Sequence, residues 1–84
     1  MQLLNVSAAA GVWTQVYDGT AASVIAVTGN ENCQVCQSTT APTTNLIGLP
    51  LIGGSSTQNL FRAVSGTPVY VKPLNAAVTV IVNA

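Results

Sequence analysis

The chain has 84 residues, is 49% apolar, and carries only four charged side chains, Asp18, Glu31, Arg62 and Lys72, for a formal net charge of zero. Its length makes it one domain, residues 1–84, and its charge falls far below the roughly one quarter usual for a free soluble domain, so nothing electrostatic keeps copies apart. The same counts argue against a metal centre (no His and two acidic groups, where a structural zinc needs about four ligands), against phosphate-neutralising nucleic-acid binding (two cations), and against a membrane helix, since no stretch approaches about 20 apolar residues.

Period-two alternation and β-branched residues return about every ten positions, separated by Gly, Pro, Asn and Ser clusters, as in two packed antiparallel sheets. Met1-Gln2-Leu3-Leu4 lacks the basic and continuous apolar regions of a secretory signal. The first predicted strand is Leu3 to Val6, and the second Val12 to Tyr17, closed by the turn dipeptide Asp18-Gly19. Trp13 and Tyr17, four apart on a strand, are expected on one face, bordering the core or anchoring an interface. Ser23 to Thr28 follows, closed by Gly29-Asn30.

Asn32 to Gln37 is the fourth strand and contains Cys33 and Cys36. On a strand, positions three apart point to opposite faces and lie roughly 10 Å apart at about 3.3 Å per residue. A disulfide needs Cα atoms within about 7 Å, so two free thiols are expected, one or both acting as small buried hydrophobes, consistent with a reducing cytoplasm. Ser38 to Asn45 is polar around Pro42 and reads as a surface loop. Leu46 to Ile52, broken by Gly48 and Pro50, reads as an extended segment with at most a short edge strand. After a turn at Gly53-Gly54-Ser55-Ser56 come Asn59 to Val64, Pro68 to Lys72 and Ala77 to Val82. The last has Val78, Val80 and Val82 on one face and Ile81 beside Thr79 on the other, which implies cover on both sides, the second from a neighbouring subunit. Ala8-Ala9-Ala10, ended by Gly11, is too short for a helix.

Catalytic chemistry finds no support. The commonest general base is missing with His, and Asp18 and Glu31 fall in separate turns. Neither thiol has a neighbouring cation in sequence to lower its pKa, and Gly53-Gly54 lacks the Lys and helix of a phosphate loop. No cofactor is implied. In so uncharged a chain Arg62 needs a partner if buried, whether Asp18, Glu31, a loop carbonyl or another subunit. Trp13 and Tyr17 also suggest a sugar-stacking platform, with Gln15 and Asp18 nearby.

Trp13-Thr14-Gln15-Val16-Tyr17 with Gly19, Ser23-Val24-Ile25-Ala26-Val27, the Gly29-Asn30 turn, Cys33-Gln34-Val35-Cys36 and Ala41-Pro42 make a pattern that resembles small accessory virion proteins of tailed bacteriophages. Gly48-Leu49-Pro50-Leu51, Gly53, Leu60-Phe61, Pro68-Val69-Tyr70-Val71-Lys72 and the closing valine strand continue it over nearly the whole chain. The cysteines and the scarcity of charge depart from the pattern, and it carries no catalytic residue over.

The resemblance implies an all-β fold, a small jelly-roll or immunoglobulin-like sandwich of seven to eight strands. It also implies a capsid cement or decoration protein, made in the bacterial host cytoplasm and bound to the major capsid protein or another virion protein. The protein would be a homo-oligomer, with a homotrimer the expected state. The expected interface residues are Trp13, Tyr17, Arg62, Val78, Val80, Ile81 and Val82. The alternatives are a head- or tail-fibre module presenting Ser38 to Asn45 or Gly53 to Gln58 at its tip, and a carbohydrate-binding β-domain.

Overall fold

The computed structural model describes residues 3–43, 45–54 and 58–84, and the expected turn at Ser55-Ser56 lies outside them. Eight strands form among the described residues, with no helix: β1 Leu3–Ala8, β2 Thr14–Tyr17, β3 Ser23–Val27, β4 Cys33–Gln37, β5 Leu49–Leu51, β6 Leu60–Ala63, β7 Val69–Pro73 and β8 Val78–Asn83. They make two antiparallel four-stranded sheets, sheet A in the order β1-β8-β3-β6 and sheet B in the order β2-β7-β4-β5.

This order has a simple origin. β1 pairs with β8, β2 with β7, β3 with β6 and β4 with β5, so the chain is one long hairpin folded back between β4 and β5. Every connection except β4–β5 steps from one sheet to the other, which rolls the double ribbon into a sandwich.

The period-two pattern decides what the roll encloses. Ile25 on β3, Cys33 and Val35 on β4, Val69 and Val71 on β7, and Val78, Val80 and Val82 on β8 are buried together between the sheets. Each fully buried aliphatic side chain contributes about 1.5–3 kcal/mol, and small β-branched residues suit a thin two-layer core.

The valine face therefore does not await another subunit. β8 is a central strand, flanked by β1 and β3, and its valines meet sheet B of the same chain. Among the expected interface residues on this strand, only Ile81 turns outward. It is half-buried because Asn5 and Ala26 lie opposite it on the two flanking strands.

Side chains also stitch across the roll. The Gln37 amide donates to the carbonyls of Val64 (2.9 Å) and Thr67 (3.0 Å) and accepts from the Val64 N–H (3.2 Å), tying the β6–β7 turn to β4. Three bonds from one side chain satisfy backbone groups that the sheets do not reach.

Candidate functional site

The outer face of sheet B is where the chain departs from a plain sandwich. Its exposed row should run from Trp13, just before β2, across Lys72 on β7 and Gln34 on β4 to Pro50 on β5, given the register Gln34↔Lys72 and Gln34↔Pro50. Instead, the segment leading into β5 folds back over that row. Gly48 N–H donates to Gln34 Oε1 (3.3 Å), and Lys72 Nζ donates to the Leu46 carbonyl (3.4 Å) while standing 5.4 Å above the centre of the Trp13 ring.

Gly48 is required at the contact. A Cβ there would lie 2.8 Å from Trp13 Cη2 and 2.6 Å from the Val35 carbonyl oxygen. Trp13 is thereby enclosed to 9% exposure, and its indole N–H is buried without a partner. Beside it, the Tyr70 hydroxyl donates to Gln15 Oε1 (3.2 Å). Residues 45–48 thus form a strap held down by Trp13, Lys72 and Gln34.

What the strap shows to solvent is apolar: Leu46 is 42% exposed and Ile47 80%, whereas Leu49, the first residue of β5, is 59% exposed on the other side of the sheet, opposite Val35. Exposed single hydrophobes are ordinary on a protein surface, but Leu46 and Ile47 are neighbours on a segment pinned over the outer face of the sheet. These residues carried no functional expectation in the sequence. Their signal was there nonetheless: an apolar run broken by Gly48 and Pro50 is too interrupted to be a core strand.

The residues singled out from sequence do not come together. Trp13 and Tyr17 lie on opposite faces, because the β2–β7 register shifts between Gln15 and Tyr17. The additional residue reverses the alternation, so Val16 and Tyr17 both pack toward the core while Trp13 faces outward. The Tyr17 hydroxyl pairs with Thr20 Oγ1 (3.1 Å), and Asp18 accepts from the Thr20 N–H (3.0 Å), so both serve the turn after β2. With the strap against its edge and Lys72 over its ring, Trp13 offers no open face on which a sugar could stack.

Arg62 is exposed on β6, an edge strand of sheet A, and forms no ion pair with Asp18 or Glu31 among the described residues. Of the two expected fibre tips, Ser38 to Thr43 and Asn45 are largely exposed, while Thr44 and the middle of Gly53 to Gln58 lie outside the described residues.

Both thiols are free. Cys33 faces the core, and burial pushes its thiol up from the ordinary 9.0 to about 11; Cys36, half-buried beside Tyr70, is raised by the same cause. In Cys36→Ser protein, Ellman's reagent should therefore find no reactive thiol at pH 8 until denaturant is added, when it should find one. Stability follows with a definite sign. The unfolded Cys33 loses its proton near pH 9 while the folded one keeps it, so stability is full below pH 9 and falls as pH rises towards 11.

Among the described residues, no group of three His, Cys, Asp or Glu gathers, and no helix is long and apolar enough to cross a membrane. In comparisons with known proteins, the chain matches no family model, no curated protein and no solved structure.

Proposed function

We propose that this chain is a non-enzymatic structural protein that works attached to a larger assembly, and that the assembly is the head of a tailed phage, which it coats as a cement or decoration protein. The observation that carries this reading is the strap, which holds Leu46 and Ile47 in the open on a body with four charges. Apolar side chains presented on a hydrogen-bonded platform, whose cation Lys72 is bonded to the Leu46 carbonyl and stands over Trp13, are what a repeated low-affinity contact needs. A shell offers many copies of one site, so modest contacts add up.

The strand order supports the same reading. A hairpin rolled into β1-β8-β3-β6 over β2-β7-β4-β5 favours the jelly-roll reading, an architecture used by viral capsid and lectin domains. An immunoglobulin sandwich keeps its first two strands in one sheet, whereas here β1 and β2 lie in different sheets. The enclosed Trp13 weighs against the lectin branch.

The test is co-sedimentation with heads of the phage that encodes the chain. Wild-type protein should pellet with the heads, and Ile47→Asp, which places a charge at the most exposed point of the strap, should remain in the supernatant with its fold unchanged. Wild-type protein that never pellets, or an Ile47→Asp variant that pellets equally well, would refute the proposal.

A further inference from the structure

The two sheets have four edges, and three are blunted. β5 is three residues long and contains Pro50; β2 is four residues long and has its register shift; β6 is four residues long and carries Arg62. Short length, proline, irregular register and charge are the devices that stop sheets from adding strands. β1 has none of them. It runs for six residues, Leu-Leu-Asn-Val-Ser-Ala, without charge or proline, in unbroken register with β8 from Leu3↔Asn83 to Ala8↔Val78. Beyond that ladder, no backbone hydrogen bond among the described residues reaches its outer side.

The core is also open there. Leu4 and Val6 pack against the buried cluster but stay half-exposed. Between β1 and β2 lies a depression of about 360 Å³, lined by Leu4, Val16 and Tyr17 and by the polar Gln15, Asp18 and Thr20.

We propose that β1 pairs antiparallel with β1 of a second copy, joining two A sheets into one continuous eight-stranded sheet. An antiparallel ladder is self-complementary under a two-fold axis, and the neutral strand meets no like charge in its copy. For the core sides of the two sandwiches to stay on one side of the joined sheet, directly opposite residues must share a face. The axis therefore passes through a residue rather than between two. Asn5 and Val6 are the centres that give the longest ladder, and with Asn5 at the centre Leu4 meets Val6 of the copy. The partner's Leu4 and Val6 then cover the half-exposed rim of the core. Such pairing closes at two copies rather than three. It uses the opposite sheet from the strap and does not depend on it.

The test uses the whole chain. Light scattering on eluting protein should show a mass that doubles with concentration. Asn5→Lys/Ser7→Lys, two exposed positions on the outer face of β1, should hold the protein as a monomer with an unchanged far-ultraviolet spectrum, because like charges then face each other in either register. Ile47→Asp should dimerise like wild type, which separates this interface from the strap. In a Cys36→Ser background, a cysteine at the axial residue meets itself at about 4.5–5.5 Å between Cα atoms, within disulfide range. One of Asn5→Cys and Val6→Cys should therefore cross-link under oxidation, and Thr79→Cys on β8 should not. A wild-type protein that stays monomeric, a lysine variant that still dimerises, or a Thr79→Cys variant that cross-links as readily as the β1 variants would overturn the proposal.

Discussion

Trp13→Ala should lower the stability of this protein by about 3–5 kcal/mol, the cost of removing a large buried aromatic. For a domain of this size, that is a fall in Tm of roughly 12–40 °C. The indole fills the space between sheet B and the strap, in contact with Gly48 and beneath Lys72. Truncation leaves a cavity that the strap can close only by breaking the Gly48–Gln34 and Lys72–Leu46 bonds. Trp13→Phe separates packing from polarity. It sacrifices some area, but it also removes an N–H that is buried without a partner, a group whose burial costs about 1–3 kcal/mol. The phenylalanine variant should therefore stay within about 1 kcal/mol of wild type. Thermal unfolding checks both, and an alanine variant that melts within a few degrees of wild type would mean the ring is not enclosed.

Gly19→Ala should be as damaging for a different reason. Gly19 has φ +81°, and a Cβ there would sit 2.4 Å from the Thr67 carbonyl oxygen and 2.5 Å from its carbon. Its own carbonyl accepts from the Gly66 N–H at 2.8 Å, which pins the turn after β2 to the β6–β7 turn. Both sides of the contact are backbone, so no side chain can swing away. Gly11→Ala and Gly29→Ala are the controls. They share the left-handed conformation, with φ +75° and +80°, but a Cβ at either meets nothing within 4 Å. Each control should cost only the left-handed penalty of about 1–2 kcal/mol, and Gly19→Ala about 3 kcal/mol or more. Denaturant titration of the three variants reads the difference; equal losses would show that the close approach to Thr67 can relax.

The strands themselves were legible because each carries its own signal, alternation ended by a turn pair such as Asp18-Gly19 or Gly29-Asn30. Ser23 to Val27, Cys33 to Gln37 and the two valine-rich segments fall where the pattern puts them, within a residue or two. Neighbours in a sheet are another matter, since nothing in the pattern of β8 says that β1 and β3 flank it. Apolar residues on both of its faces suggested a second subunit, when a central position was enough to shelter Ile81. The irregularity in β2 was invisible too, with no glycine or proline to mark it, and it alone placed Trp13 and Tyr17 on opposite faces. The strap was illegible for a third reason. Its path depends on Trp13, Gln34 and Lys72 meeting across three strands, and a run such as Leu46-Ile47-Gly48-Leu49 has no period to reveal that.

The nesting of the hairpin also sets the order in which the protein can be made. Sheet A is β1-β8-β3-β6, so its first and third strands are separated by a gap that only residues 78–83 can fill. A nascent chain on the ribosome holds β1 and β3 long before that filler emerges, and contacts so distant in sequence are slow to form. Sheet A can therefore close only after that strand has been made, and until then the chain, apolar and nearly uncharged, carries its valines bare.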